Sequence, residues 1–153
     1  MALSKPHLST LSTTTQTIAV ANTPQVVTFA TAIQNDKITR TSSSRFTFIE
    51  AGEYSLILNA EVTASAANKT ADIWLRINGT DVANSNRKRT IVNNETGSLL
   101  LSGITITVTA GQYIEVWFSG DSTAVSLPAF AAGVTPTRPV TPSVLLTLIK
   151  THP

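Results

Sequence analysis

Tyr54-Ser55-Leu56-Ile57-Leu58-Asn59-Ala60-Glu61-Val62 decides the fold class. Side chains of a strand alternate between two faces, so Tyr54, Leu56, Leu58, Ala60 and Val62 line one apolar face. A helix would need apolar residues at i, i+3, i+4 and i+7, and the chain sustains that spacing nowhere. Immediately upstream, Arg45-Phe46-Thr47-Phe48-Ile49 is a second strand, and Glu50-Ala51-Gly52-Glu53 is the turn between the two.

The same texture continues in both directions. Toward the N-terminus, Thr17 to Val20, Gln25 to Phe29 and the short Ile38 to Thr41 are predicted strands, with Pro24 as a break. Toward the C-terminus, Asp72 to Ile77 ends in Asn78-Gly79. Both residues of that pair tolerate the positive φ of a type I′ turn, so a hairpin returning through Thr80 to Asn84 is expected. Ser98 to Leu101, Ile104 to Val108, Tyr113 to Phe118, a short piece around Val125 and Leu127, and Val144 to Ile149 complete the set. Pro136, Pro139 and Pro142 lack the N–H a central strand must donate, so their segment is an extended loop. About ten short strands without a helix predict a two-sheet sandwich or a barrel. Residues 1–16 are rich in Ser and Thr with little to bury and are expected to be a polar arm; 17–153 form a single domain.

The closing strand is apolar on both faces. Val144, Leu146 and Leu148 point one way, Leu145 and Ile149 the other. Tyr113 to Phe118 repeats the pattern, with Ile114, Val116 and Phe118 opposite Tyr113 and Trp117. An antiparallel sandwich normally keeps one face wet. With no helix to cover the second face, another copy of the chain is the expected cover, and Leu145, Ile149, Tyr113 and Trp117 are its expected contacts.

Charge and chemistry exclude several functions. Eleven basic and nine acidic side chains in 153 residues give a weak field. Arg87-Lys88-Arg89 is the one dense basic run and reads as a solvated loop; no basic stripe with interleaved aromatics suggests nucleic acid. No apolar run approaches membrane-spanning length. Met1 to His7 lacks the apolar core and cleavage site of a secretory signal, so none is expected. Three Asn-x-Thr sequons, at Asn68, Asn78 and Asn94, are expected to be chance matches. There is no Cys, and the two histidines, His7 and His152, lie near the ends, so thiol, triad and metal chemistry lack their residues. The nine carboxylates are scattered, and the seven glycines form no phosphate loop. No enzymatic activity and no cofactor are expected.

Arg45-Phe46-Thr47-Phe48-Ile49-Glu50-Ala51-Gly52-Glu53-Tyr54, followed by an alternating strand, resembles the F-x-x-x-x-x-G-x-Y signature of C1q/TNF-like jelly rolls. Trp74 to Gly79, Leu101 with Ala110 to Val116, and Ser143 to Leu148 sit where that family places its later strands. The resemblance covers residues 17 to 150. It implies an all-β jelly roll of about ten antiparallel strands in two sheets, assembled as a homotrimer with the terminal strands toward the threefold axis. The Ser/Thr/Asn-rich texture resembles tailed-bacteriophage virion proteins, and without a collagen-like stalk a complement or cytokine role is not expected.

The resemblance therefore implies a trimeric capsid decoration or cement protein on the outside of the virion, assembled in the host cytoplasm. Its partners would be itself and the major capsid protein. Leu8 and Leu11 of the arm, Lys37 with Arg40, and Arg87, Lys88 and Arg89 are the expected capsid contacts. The alternative is the receptor-binding head of a tail fibre, gripping a host glycan or surface protein through loops such as 64–70 or 119–126.

Overall fold

Sixteen strands and no helix occur among residues 4–152, which the computed structural model describes. In chain order they are β1 (His7–Ser12), β2 (Gln16–Thr17), β3 (Gln25–Val26), β4 (Thr31–Asp36), β5 (Ile38–Arg40) and β6 (Phe46–Phe48). Next come β7 (Gly52–Ala64), β8 (Lys69–Ile77), β9 (Thr80–Asp81), β10 (Arg87–Ile91) and β11 (Thr96–Val108). The last are β12 (Tyr113–Gly120), β13 (Val125–Leu127), β14 (Gly133–Val134), β15 (Thr137–Arg138) and β16 (Val144–Lys150).

They pair antiparallel into two large sheets. The first runs β11–β7–β16–β1–β4, with β13 and β2 added beside the Ala64 end of β7. The second runs β10–β8–β12–β6–β5, with β3 joined to β12 and β9 to β8. β14 and β15 form a separate small ribbon in the proline-rich segment.

The period-two faces meet between the sheets. Tyr54, Leu56, Leu58, Ala60 and Val62 of β7 and Val144, Leu146 and Leu148 of β16 are buried against Ile73, Leu75, Ile114, Val116 and Phe118. Phe29 packs edge-on against Phe46 at 5.4 Å between centroids, and Phe48 against Tyr54 at 4.7 Å. The Tyr54 hydroxyl is satisfied by donating to the Glu50 carbonyl at 3.0 Å.

Several elements differ from the sequence expectation. The polar arm contains β1, a strand held between β16 and β4, with Leu8, Thr10 and Ser12 buried; residues 1–3 of that arm lie outside the described residues. Arg87-Lys88-Arg89 belongs to β10, an edge strand, not to a loop. The two segments after Ser98 are one strand, β11, interrupted by a bulge between Leu101 and Ile104 where Gly103 takes φ +72°. β2 and β3 are shorter than predicted because glutamine side chains replace ladder rungs. Gln16 accepts from the Thr28 N–H at 2.8 Å and donates to its carbonyl at 2.9 Å. Gln25 does the same for the Ala19 N–H (3.0 Å) and the Thr17 carbonyl (2.8 Å). The turn at Asn78-Gly79 is as expected, with φ of +48° and +78°, but the returning strand is only Thr80–Asp81 and does not run to Asn84.

Candidate interaction surfaces

The pleat of β16 sends Leu145 and Ile149 out of the first sheet, where they are 37% and 48% exposed. Pairing register places their neighbours. Leu100, Asn59, Leu145 and Leu11 form one row across β11, β7, β16 and β1. Ile57, Thr147 and Ser9 form the next row, and Ser55, Ile149 and His7 the one after it. Ile57 and Leu100 are each 53% exposed, so the apolar side chains continue through the middle of the sheet, with small hydroxyl and amide residues between them. Beside Ile149 the face is notched by a cavity of about 380 Å³, lined by Lys5, His7, Gln34 and Thr147 among others.

Tyr113 and Trp117 are elsewhere. They leave the outer face of the second sheet, on the other side of the sandwich, and do not share a surface with Leu145 and Ile149. The register sets Glu115 opposite Arg76, Trp117 opposite Trp74, and Ser119 opposite Asp72. The polar groups tie the aromatics into a chain. The Arg45 guanidinium lies 4.3 Å from the Tyr113 ring centroid and donates to Glu115 at 2.8 Å. Glu115 in turn accepts from the Trp117 indole N–H at 3.2 Å. Arg76 stacks 4.1 Å over Trp117 and donates to Asp81 at 2.5 Å, and the Trp74 indole N–H reaches the same carboxylate oxygen at 2.8 Å. These two donors hold the Asp81 carboxyl below its usual pKa, the Arg76 bond contributing most.

Beyond Trp74 the surface dips. β9 leaves β8 after Asp81, and residues 82–86 arch over the flank of β8 before β10 rejoins it. Ser85 anchors the arch: its hydroxyl donates to the Val82 carbonyl at 2.7 Å and accepts from the Leu75 N–H at 3.1 Å. The dip holds about 330 Å³, with Asp72, Trp74, Asp81 and Ser119 from the strands and Asn84 and Asn86 from the arch.

The expected capsid contacts scatter. Leu8 is 1% exposed and belongs to the core, so it presents nothing to a partner. Leu11 is half-buried on the first sheet's outer face beside Leu145. Lys37 precedes β5 and Arg40 ends it, while Arg87, Lys88 and Arg89 lie on β10, at the opposite edge of the second sheet. Several of these cations already have partners. Lys37 and Lys150 clasp Glu50 from either side at 2.6 and 3.1 Å, Arg40 donates to the Phe29 carbonyl, and Arg89 sits 3.5 Å from Glu95. The two lysine hydrogen bonds hold the Glu50 carboxyl below the usual carboxylate range, Lys37 first. Among the described residues no cluster of three or more His, Asp or Glu side chains is arranged to hold a metal.

No protein-family model matches the chain, and no curated protein matches it in sequence. Among solved structures, the crystal structure of murine APRIL at pH 5.0 is similar in fold. It aligns over 96% of this chain and 99% of its own, at 10% identity and a TM-score of 0.59. APRIL is a TNF-family jelly roll, and the all-β chain described here, with its two curled antiparallel sheets, has a TNF-like jelly-roll fold.

Proposed function

We propose that the chain is a non-enzymatic virion structural protein, a homotrimeric decoration or cement protein that binds the outer surface of a bacteriophage capsid. The observation that carries this reading is the row of Leu100, Leu145 and Leu11 with Ile57 and Ile149 beside it, apolar side chains at the centre of an outward-facing sheet. Soluble monomers seldom leave such a contiguous patch in water, and a second and third copy would remove it. β1 and β16, the first and last strands, are adjacent in that sheet, and the resemblance implies that such terminal strands lie toward a threefold axis.

The mechanism is adhesive. A trimer offers three equivalent contact sets to neighbouring capsid subunits, and linked contacts raise avidity without new chemistry. The protein would reside on the capsid exterior after assembly in the host cytoplasm. Two measurements test this. Native mass in solution should be three times the protomer mass, and the purified protein should add saturably to undecorated, expanded capsids. A monomer by mass, or a trimer that adds to no capsid, refutes it.

A further inference from the structure

The dip beside Trp74 combines features that no part of the capsid reading uses. We propose that it is a saccharide-binding site, taking a neutral hexopyranoside unit with the sugar's C–H face on the Trp74 indole and its hydroxyls on Asp72, Asp81 and Asn86.

The chemistry of the lining selects the ligand. At about 330 Å³ the cavity has room for one sugar ring. An apolar small molecule would leave its carboxylates and amides unpaired, at a cost in affinity. A polyol satisfies them, since carboxylates accept strong hydrogen bonds from hydroxyls. The acceptors are held in place but not used up. Asp72 Oδ1 takes one hydrogen bond, from the Asn86 amide at 2.8 Å, and Asp81 Oδ1 takes those of Trp74 and Arg76. The Oδ2 atoms of both aspartates have no hydrogen bond to the described residues.

The indole is fixed by its own N–H bond to Asp81, so its apolar surface is presented without an ordering cost on binding. Asp81 is already paired with Arg76, so it is the Asp72 carboxylate, bonded to the neutral Asn86 amide, that disfavours sugars carrying carboxylate, sulfate or phosphate and narrows the class to neutral units. The site lies on the sheet opposite Leu145 and Ile149, so copies joined through that other face would each keep theirs in water. The inference stands independently of the capsid reading.

Tryptophan emission is the natural readout, because the chain's two tryptophans are the cross-strand pair Trp74 and Trp117. The full-length protein is titrated with the methyl glycosides of glucose, galactose, mannose and N-acetylglucosamine, and with the methyl glycoside of glucuronic acid as the anionic arm. At least one neutral glycoside should change the emission saturably, in the millimolar range, and the glucuronide should not. Asp72→Asn preserves the shape and an acceptor for Asn86 but removes the charge; it should weaken binding by at least about tenfold with an unchanged melting temperature. Trp74→Ala, followed by calorimetry, should abolish binding. The inference is overturned if no neutral glycoside binds up to about 100 mM, if Asp72→Asn binds like the native chain, or if the anionic sugar binds more tightly.

Discussion

Leu145 and Leu146 are consecutive, chemically identical and opposite in consequence. Leu146 is 1% exposed between the sheets, so Leu146→Ala removes three buried carbons and leaves a cavity; it should cost about 2–5 kcal/mol in urea unfolding. Period two alone made that inward face legible, from Tyr54 through Val62 and from Val144 through Leu148. It could not say which outward faces lie together. Tyr113 and Trp117 were read with Leu145 and Ile149 because all four are apolar and outward, but sheet membership comes from pairing between distant segments, which no local pattern records. Ile57 and Leu100 were missed for the same reason: each is a lone apolar residue until register sets it beside Leu145. At this scale too, Glu50 gives a pH dependence. Its pKa is depressed by Lys37 and Lys150, so its contribution is complete above the unfolded-state value near about 4.3 and is lost as pH falls through the lower folded value. Melting temperature measured from pH 6 toward pH 3 (about the range where carboxylates protonate) should therefore fall more steeply for the native chain than for Glu50→Gln.

Strands escape sequence reading when their outward residues mask the inward ones. β1 reads His-Leu-Ser-Thr-Leu-Ser, and its inward row is Leu8, Thr10 and Ser12. Two hydroxyl residues on a core face erase the apolar alternation, so the segment looked like an arm. β10 was hidden by its charges. Cations on a strand that pairs on one side only discourage a second chain from adding there, which gives Arg87-Lys88-Arg89 a role in solubility that calls for no acidic partner. The two accounts of the N-terminal segment differ in what truncation does. Without residues 1–12, β16 loses its whole partner on one side, from the His7–Ile149 pair to the Ser12–Val144 pair, and Leu8 leaves the core. Deletion of 1–12 should therefore abolish the cooperative thermal transition or send the protein to the insoluble fraction. A dispensable arm would leave both unchanged.

The molecule as a whole shares a fold with murine APRIL at 10% identity, so what the two chains have in common is an arrangement of alternating faces and turns more than particular residues. That arrangement was legible in the sequence because each strand's periodicity is local; which outward residues lie together on the first sheet was not, because that surface is composed from four strands. The composition of that surface predicts how assembly behaves. Its centre carries Ile57, Leu100, Leu145 and Ile149, with serine, threonine and asparagine between them and no charged side chain in the Leu100–Asn59–Leu145–Leu11 row. An interface of this kind is held by apolar burial, so raising salt from about 0.15 M to 1 M, which shortens the screening length from about 8 to 3 Å, should leave the native mass unchanged. Leu145→Asp places a charge at the middle of the row, and in an assembly that charge would be buried without a partner, which is strongly unfavourable. Position 145 is 37% exposed in the isolated protomer, so the carboxylate can reach water there, and surface substitutions usually shift stability by about 0.5 kcal/mol or less. Light scattering and urea unfolding on one preparation separate these effects: mass should drop to the protomer's while the unfolding midpoint, measured at a concentration where both proteins are monomeric, stays in place. An undiminished mass for Leu145→Asp would mean that copies meet elsewhere, and the second sheet's outer face, with Tyr113 and Trp117, would be the next surface to substitute.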